Sequence, residues 1–255
     1  MPPFDPAFAL NFMLPFAEAA YDVAAKQTPL LPPGYVVKST IVADAQKTAQ
    51  VMAAIPLAHQ RMVRALVASN PIMGFVGRND ATQTAIVSFR GTETPEDWLQ
   101  DFDSLAVPFP DIPASGLVHQ GFDAVYQTIR DSVIAGVDAA KVNATSMWIT
   151  GHSLGGAIAL LAAIDFAKNA VPPLVSQLYT FAGPRVGDES FQALFDAAIP
   201  LCYRVVNRWD IVPQLPPPPL FIHVGQAVDI DGGFTLDLAQ AHSLLESYKP
   251  GLQKL

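Results

Sequence analysis

Ser153 stands between two glycines in Gly151-His152-Ser153-Leu154-Gly155, after the apolar run SMWIT and before an alanine-rich stretch. This is G-x-S-x-G in the strand-then-helix setting that turns a common pattern into a nucleophile elbow. A turn from strand to helix is so tight that side chains at positions 151 and 155 would collide with neighbouring backbone, which accounts for the bracketing glycines. The same turn projects the serine hydroxyl above a sheet. It also sets the Leu154 N–H at a helix start, where unpaired donors and the helix dipole favour a negative oxygen. The competing reading, a glycine-rich helix start with an incidental serine, stays open on the pentapeptide alone.

A serine hydroxyl is a weak nucleophile at its own pKa and needs a histidine base, itself oriented by a carboxylate. In sheet proteins of this type the chain order is Ser, then Asp or Glu, then His. Two histidines follow Ser153. His223 sits in FIHVGQ, whose alternation reads as a strand and gives the imidazole a structural role. His242 sits in AQAHSLLESY, where Ser243 and Glu246 form an S-x-x-E capping box ahead of Leu244 and Leu245. That spacing predicts His242 on a loop just outside a helix, free to reach over a sheet edge, with the adjacent helix amino terminus disfavouring a permanent proton. His242 is therefore the preferred base. Asp210 follows CYRVVN at the carboxyl end of a strand, where ligand-facing residues collect in open sheets, and is the candidate orienting carboxylate. Asp188 reads as a helix cap, Asp165 as part of a buried helix, and Asp229 and Asp231 as flanks of a turn. DIDGG lacks the acidic twelfth-position ligand of a calcium loop.

The elements that must hold these groups follow from the hydrophobic period. PAFALNFMLPFAEAAYDVAA is helical in spacing, with Pro15 expected to kink or end it, and residues 44–68 form a helix interrupted at Pro56. TPLLPPGYVV between them reads as loop. IMGFVG and TAIVSFRG, separated by RNDATQ, form a hairpin, and Val107 to Pro113 is proline-rich loop. Phe122, Val125, Tyr126, Ile129, Val133 and Val137 mark an amphipathic helix. After the elbow comes a helix apolar all round, then strand LVSQLYTFAG, helix FQALFDAAI, strand CYRVVN, strand FIHVGQAVDI and a closing helix opened by SLLESY. LPPPPL is a stiff connector rather than a ligand for proline-recognition modules. Alternating strands and helices specify a mostly parallel sheet covered on both faces, read as one domain over residues 1–255.

Composition narrows the partners. Hydrophobic residues make up 51% of the 255 and charged ones 15%, which describes a core-rich globular chain. A net charge of −8 without any basic cluster argues against nucleic acid and against tight binding to an anionic bilayer, but leaves contact with neutral lipid open. The lone cysteine, Cys202, excludes an intrachain disulfide or a cysteine-based metal cage and would suit a reducing compartment. The first 26 residues do not read as a secretory signal, and no run is long and apolar enough to span a bilayer. Localisation stays open between the cytoplasm and a secretory route not visible in this chain.

With these residues in hand, the chain resembles the class 3 lipases, the family of the filamentous-fungal triacylglycerol lipases and their feruloyl esterase relatives. SFRGT, DWLQD, VHQGF, GHSLGGA, TFAGPRVGD and NRWDIVPQLP stand in family order between Ile72 and about Lys249. The resemblance implies an α/β-hydrolase fold with a short lid helix, and a serine carboxylic ester hydrolase needing no cofactor and no metal. It implies Ser153 as nucleophile, Asp210 as orienting carboxylate and His242 as base. It further implies an oxyanion hole made by Thr92, through its N–H and hydroxyl, with the N–H of Leu154. Arg90, His119 and Arg185 belong to family motifs too, and read as buried polar residues tying loops together.

A lid is expected over about residues 93–103. Thr94 would cap it, Trp98 matches a lid tryptophan and Leu99 follows, while Pro95, Glu96 and Asp97 make the segment acidic, a departure from the family. The first functional expectation is hydrolysis of acylglycerols with transient contact at a lipid–water interface and no stable membrane insertion. The alternatives are a short-chain or aryl (feruloyl-type) esterase and a non-catalytic lipase-like binding module. The last is disfavoured because all three triad residues are present in order.

Overall fold

The computed structural model describes residues 3–68, 70–92, 105–169, 171 and 175–255. Its main sheet has seven strands in the spatial order β1 (Tyr35–Val42), β2 (Ile72–Asn79), β3 (Thr84–Phe89), β6 (Ser146–His152), β7 (Val175–Phe181), β8 (Cys202–Asn207) and β9 (Gln226–Ile230). β2 pairs antiparallel with β1 and with β3, whereas the neighbours β3, β6, β7, β8 and β9 pair parallel in that order. β4 (Ala106–Pro108) and β5 (Leu117–His119) form a separate antiparallel pair. Parallel neighbours need crossovers. Helices supply several of them: α4 (Gln120–Ala140) before β6, α5 (Leu154–Lys168) before β7 and α6 (Glu189–Ala198) before β8. Other helices include α1 (Leu14–Ala24), α2 (Ala45–Ala54) and α3 (Leu57–Val63) ahead of β2, and α7 (Leu238–His242) after β9.

The period-2 pattern of the strands divides the core into two layers. Val87, Ile149 and Leu178 pack with α4 and α5 on one face, while Ile86, Tyr179 and Phe181 pack with α1 and the carboxyl-terminal segment on the other. α5 lies in the middle of the first layer, and every residue from Leu154 to Phe166 is buried, as a helix apolar all round requires. α1 covers the second layer through Phe16, Ala17, Ala20 and Val23, leaving Glu18, Tyr21 and Asp22 half-buried along its flank. That flank forms part of the site.

The hairpin of β2 and β3, the break at Pro56 and the amphipathic α4 appear as expected. Four local readings change. The loop assigned to TPLLPPGYVV gives way at Tyr35 to β1, an edge strand rich in β-branched residues, several of them exposed, that begins directly after the proline- and glycine-containing turn. Pro15 does not end its helix: the backbone stays helical from Pro6 to Ala24, with a π-helical turn over Ala9–Met13 just ahead of the proline. Part of the stretch from Val107 to Pro113 is β4. In FIHVGQAVDI only Gln226–Ile230 is strand, and Ile222 makes an isolated bridge to Gly187 instead. Cys202 is buried in β8, and burial pushes its thiol up to about 12, so it acts as a small packing residue.

Candidate active site

The elbow follows from close approach of backbone. A Cβ on Gly151 would lie 2.1 Å from the carbonyl oxygen of Gly155, and one on Gly155 would lie 2.4 Å from that of Phe89 and 2.6 Å from that of Arg90. The first glycine thus clears the helix start, and the second lets α5 press onto the end of β3. Between them Ser153 takes φ 57° and ψ −130°, a region costly for a residue with a side chain, at about 1–3 kcal/mol. Two hydrogen bonds hold it there: Ser153 N–H donates to Phe181 O at 2.9 Å, and Gly156 N–H donates to Ser153 O at 2.9 Å. Leu154 follows as the first residue of α5, so its N–H belongs to the donors a helix leaves without an internal partner.

Asp210 and His242 meet across 32 residues of chain, with His242 Nδ1 at 2.8 Å from Asp210 Oδ2. Both are almost fully buried, at 2% and 4% exposure. The carboxylate also accepts from the Tyr248 hydroxyl at 2.7 Å on the same oxygen and from Val212 N–H at 3.0 Å on the other. An acceptor-only carboxylate facing Nδ1 puts the imidazole proton there, which leaves Nε2 with a lone pair. His242 Nε2 and Ser153 Oγ are both buried, and neither has a hydrogen-bond partner among the described residues.

His242 is not on a loop. It ends α7, which Asp237 caps by accepting from Ala239 N–H at 2.9 Å and Gln240 N–H at 3.2 Å. Ser243 then caps a π-helical turn over Leu244–Tyr248 by accepting from Glu246 N–H at 3.2 Å. Ser243 N–H goes to Gln240 O, so half of the expected capping box forms. The histidine is thereby clamped between two helical turns.

His223 lies apart from this group. Its Nε2 donates to Pro213 O at 2.8 Å, and burial together with Arg204 pushes its pKa down to about 3. Asp188 caps α6 through Phe191 N–H, and Asp165 pairs with Arg130 and Tyr126 inside the α4–α5 layer. Arg90 donates to the carbonyls of Leu66, Asn70, Ile72 and Gly91, and Arg185 to those of Gln214 and Pro216, so both tie loops. His119 caps α4, accepting from Gly121 N–H.

A cleft of about 390 Å³ reaches His242, and Tyr21, Thr92, His152, Leu244 and Leu245 contribute to its walls. Thr92 is nearly buried and comes close to the elbow because Gly91 permits it: a Cβ at position 91 would lie 2.8 Å from the Cβ of Ser153. The lid expected over 93–103, with Thr94, Trp98 and Leu99, lies outside the described residues.

Sequence reasoning missed Tyr21 and His152. Burial holds the His152 pKa well below the usual histidine range, so the ring is neutral. Its Nε2 faces the His242 carbonyl at 2.9 Å and must donate there, which leaves Nδ1 to accept from the Tyr21 hydroxyl at 2.7 Å. The Tyr21 oxygen in turn accepts from Gly91 N–H at 3.0 Å. A directed chain of hydrogen bonds thus runs from the Gly91–Thr92 backbone through Tyr21 and His152 to the backbone of His242. Tyr248 was missed as well, although its position in SLLESY was visible.

A parallel sheet extended by an antiparallel edge, with a strained serine between β6 and α5 and an Asp–His pair beyond β8, is an α/β-hydrolase fold. The family model described as Lipase (class 3) matches residues 86–220, just over half of the chain, and the protein belongs to that family. It is 37% identical over 158 residues to a lipase of Rhizomucor miehei, a match covering 59% of this chain and 43% of the relative. It is 34% identical over 165 residues to secreted mono- and diacylglycerol lipase 1 of Fusarium solani, covering 64% and 48%. It is 32% identical over 201 residues to phospholipase A1-II 6 of Oryza sativa subsp. japonica, covering 66% and 47%. The matched region spans less than half the length of each of these relatives. The solved structure of the Rhizomucor miehei lipase propeptide complex superposes with a TM-score of 0.59 at 27% identity, covering 83% of this chain and 80% of that one.

Proposed function

We propose that the protein hydrolyses carboxylic esters of acylglycerols through a Ser153–His242–Asp210 triad and an acyl-enzyme. The observation that carries this reading is the buried Asp210–His242 pair, which leaves His242 Nε2 unpartnered while the ring of His152, next in the chain to the strained Ser153, lies 4.6 Å from the His242 ring. Asp210 holds the imidazole with its proton on Nδ1. His242 Nε2 takes the Ser153 proton as Oγ attacks the ester carbonyl carbon, and the carbonyl oxygen becomes an oxyanion. The N–H groups of Leu154 and Thr92, with the Thr92 hydroxyl, receive that charge. The imidazolium then gives its proton to the leaving alcohol as the C–O bond breaks. Water repeats the cycle on the Ser153 ester and releases the carboxylic acid.

The relatives named above include both lipases and a phospholipase A1, so the carboxylic ester is the common substrate feature, and the group esterified to it distinguishes them. The test is hydrolysis of p-nitrophenyl esters from acetate to palmitate by the wild type and by Ser153→Ala, below and above substrate aggregation. Activity lost in Ser153→Ala and rising with chain length supports a lipase. Activity confined to short chains supports the esterase alternative. Near-wild-type activity in Ser153→Ala would refute the mechanism.

A further inference from the structure

Glu18, Tyr21 and Asp22 lie three and four residues apart on α1, so they project from one side of the helix, and all three line the cleft that reaches His242. Ala239, Leu244 and Leu245 from the carboxyl-terminal segment also line it. The lining among the described residues thus includes two carboxyl groups and no Lys or Arg. Glu18 is half-buried, and burial raises its pKa while the neighbouring Asp22 raises it further. The cation that opposes these effects, Lys249, is exposed and is not among the residues lining the cleft. The unpartnered His242 Nε2 marks where the reacting ester must sit, so a substrate bound there lies against a wall bearing acidic groups on one flank and apolar groups on another.

We propose that Glu18 and Asp22 form a charge filter that admits uncharged acyl esters, such as mono-, di- and triacylglycerols, and disfavours esters bearing a phosphate or carboxylate near the scissile bond. The inference rests on the ester-hydrolase reading and assigns a substrate class to it. A negative group in the cleft meets two like charges on a partly exposed wall, where the walls of the cleft focus field lines and dissolved salt screens the repulsion. The same repulsion favours departure of the carboxylate product. Two partly exposed charges acting together at low salt should discriminate by about tenfold, and added salt should erode that factor.

The filter is tested with the wild type, Glu18→Gln, Asp22→Asn and the double variant. Substrates are dioleoylglycerol and dioleoylphosphatidylglycerol at equal mole fraction in non-ionic detergent micelles, at low salt and at about 0.5 M sodium chloride. The ratio of kcat/KM for phosphatidylglycerol to that for diacylglycerol should rise about tenfold in the double variant, and the wild-type ratio should rise with salt towards the variant's. A ratio that neither the substitutions nor salt moves overturns the filter. Calorimetric binding of decanol and decanoate supplies a readout without turnover: the wild type should prefer decanol, and the double variant should lose much of that preference. An unchanged preference also overturns the filter. If the binding ratio shifts while neutral esters are not hydrolysed by the wild type, the hydrolase reading fails and the charge filter stands as a property of the cleft.

Discussion

Replacing Tyr21 by phenylalanine keeps the ring and removes one hydroxyl, whose partners include Gly91 N–H, from which it accepts at 3.0 Å, and His152 Nδ1, to which it donates at 2.7 Å. His152 is only 7% exposed, so its Nδ1 loses its donor in a nearly closed site. A neutral hydrogen bond contributes about 1 kcal/mol net, and a buried group left unsatisfied costs about 1–3 kcal/mol. Tyr21 borders the cleft, which lets water replace part of what is lost, so the two bonds together should amount to about 2–3 kcal/mol. Both ends of the chain touch the proposed chemistry, because Gly91 precedes Thr92 and His152 Nε2 donates to the carbonyl of His242. The loss should therefore fall largely on the transition state. The expected outcome is a kcat about ten- to a hundredfold lower with KM within about threefold, measured on p-nitrophenyl butyrate. A melting temperature lower by a few degrees should accompany it. His152→Gln should cost a similar amount, and the double variant should cost little more than either alone, as members of one chain of bonds do. A folded Tyr21→Phe with kcat within twofold of wild type would refute the claim that this chain positions the site.

Other consequences follow from the same geometry. Thr92→Val keeps the backbone N–H and removes the hydroxyl, and should lower kcat by about 10²–10³-fold with little change in KM if that hydroxyl meets the oxyanion. Gly91→Ala would set a Cβ 2.8 Å from the Cβ of Ser153 and 2.9 Å from both His152 O and the Tyr21 hydroxyl. It should reduce labelling of Ser153 by an organophosphate at least tenfold while circular dichroism stays unchanged, and wild-type labelling would contradict the close approach. Asp123 has its carboxyl pushed up from 3.8 to about 6, chiefly by burial, with Gln127 opposing and Asp111 adding to the shift. Between those values the folded state binds more proton than the unfolded chain, so stability is higher below about pH 4 and falls as pH rises through about 6, by at most about 3 kcal/mol. Asp123→Asn should therefore raise the melting temperature at pH 7.5 and leave it nearly unchanged at pH 4. A variant less stable than wild type at pH 7.5 would show that the charge is paired more effectively than its burial implies.

Features that depend on residues a few positions apart were determined by the sequence alone. The glycines around Ser153, the cap at Asp188, the β2–β3 hairpin and the all-round apolar α5 can each be read locally, because turn sterics, capping and hydrophobic period act over one or two turns of chain. Chain order and strand ends predict the Asp210–His242 pairing, whereas tertiary packing decides its setting: a turn of α7 capped by Asp237 stands where the spacing predicts a loop. Thr92 was reached only by resemblance, since nothing near it in sequence announces the Gly91 contact that brings it close to Ser153. The relay lay out of reach altogether. Tyr21 and His152 are 131 residues apart, and Tyr248 and Asp210 are 38 apart. They meet because α1 and the carboxyl-terminal turns pack on one face of the sheet and bury their polar ends together. The identity of a buried hydroxyl's partner is set by that packing and by the requirement that each buried donor be satisfied, neither of which leaves a periodic mark in the sequence.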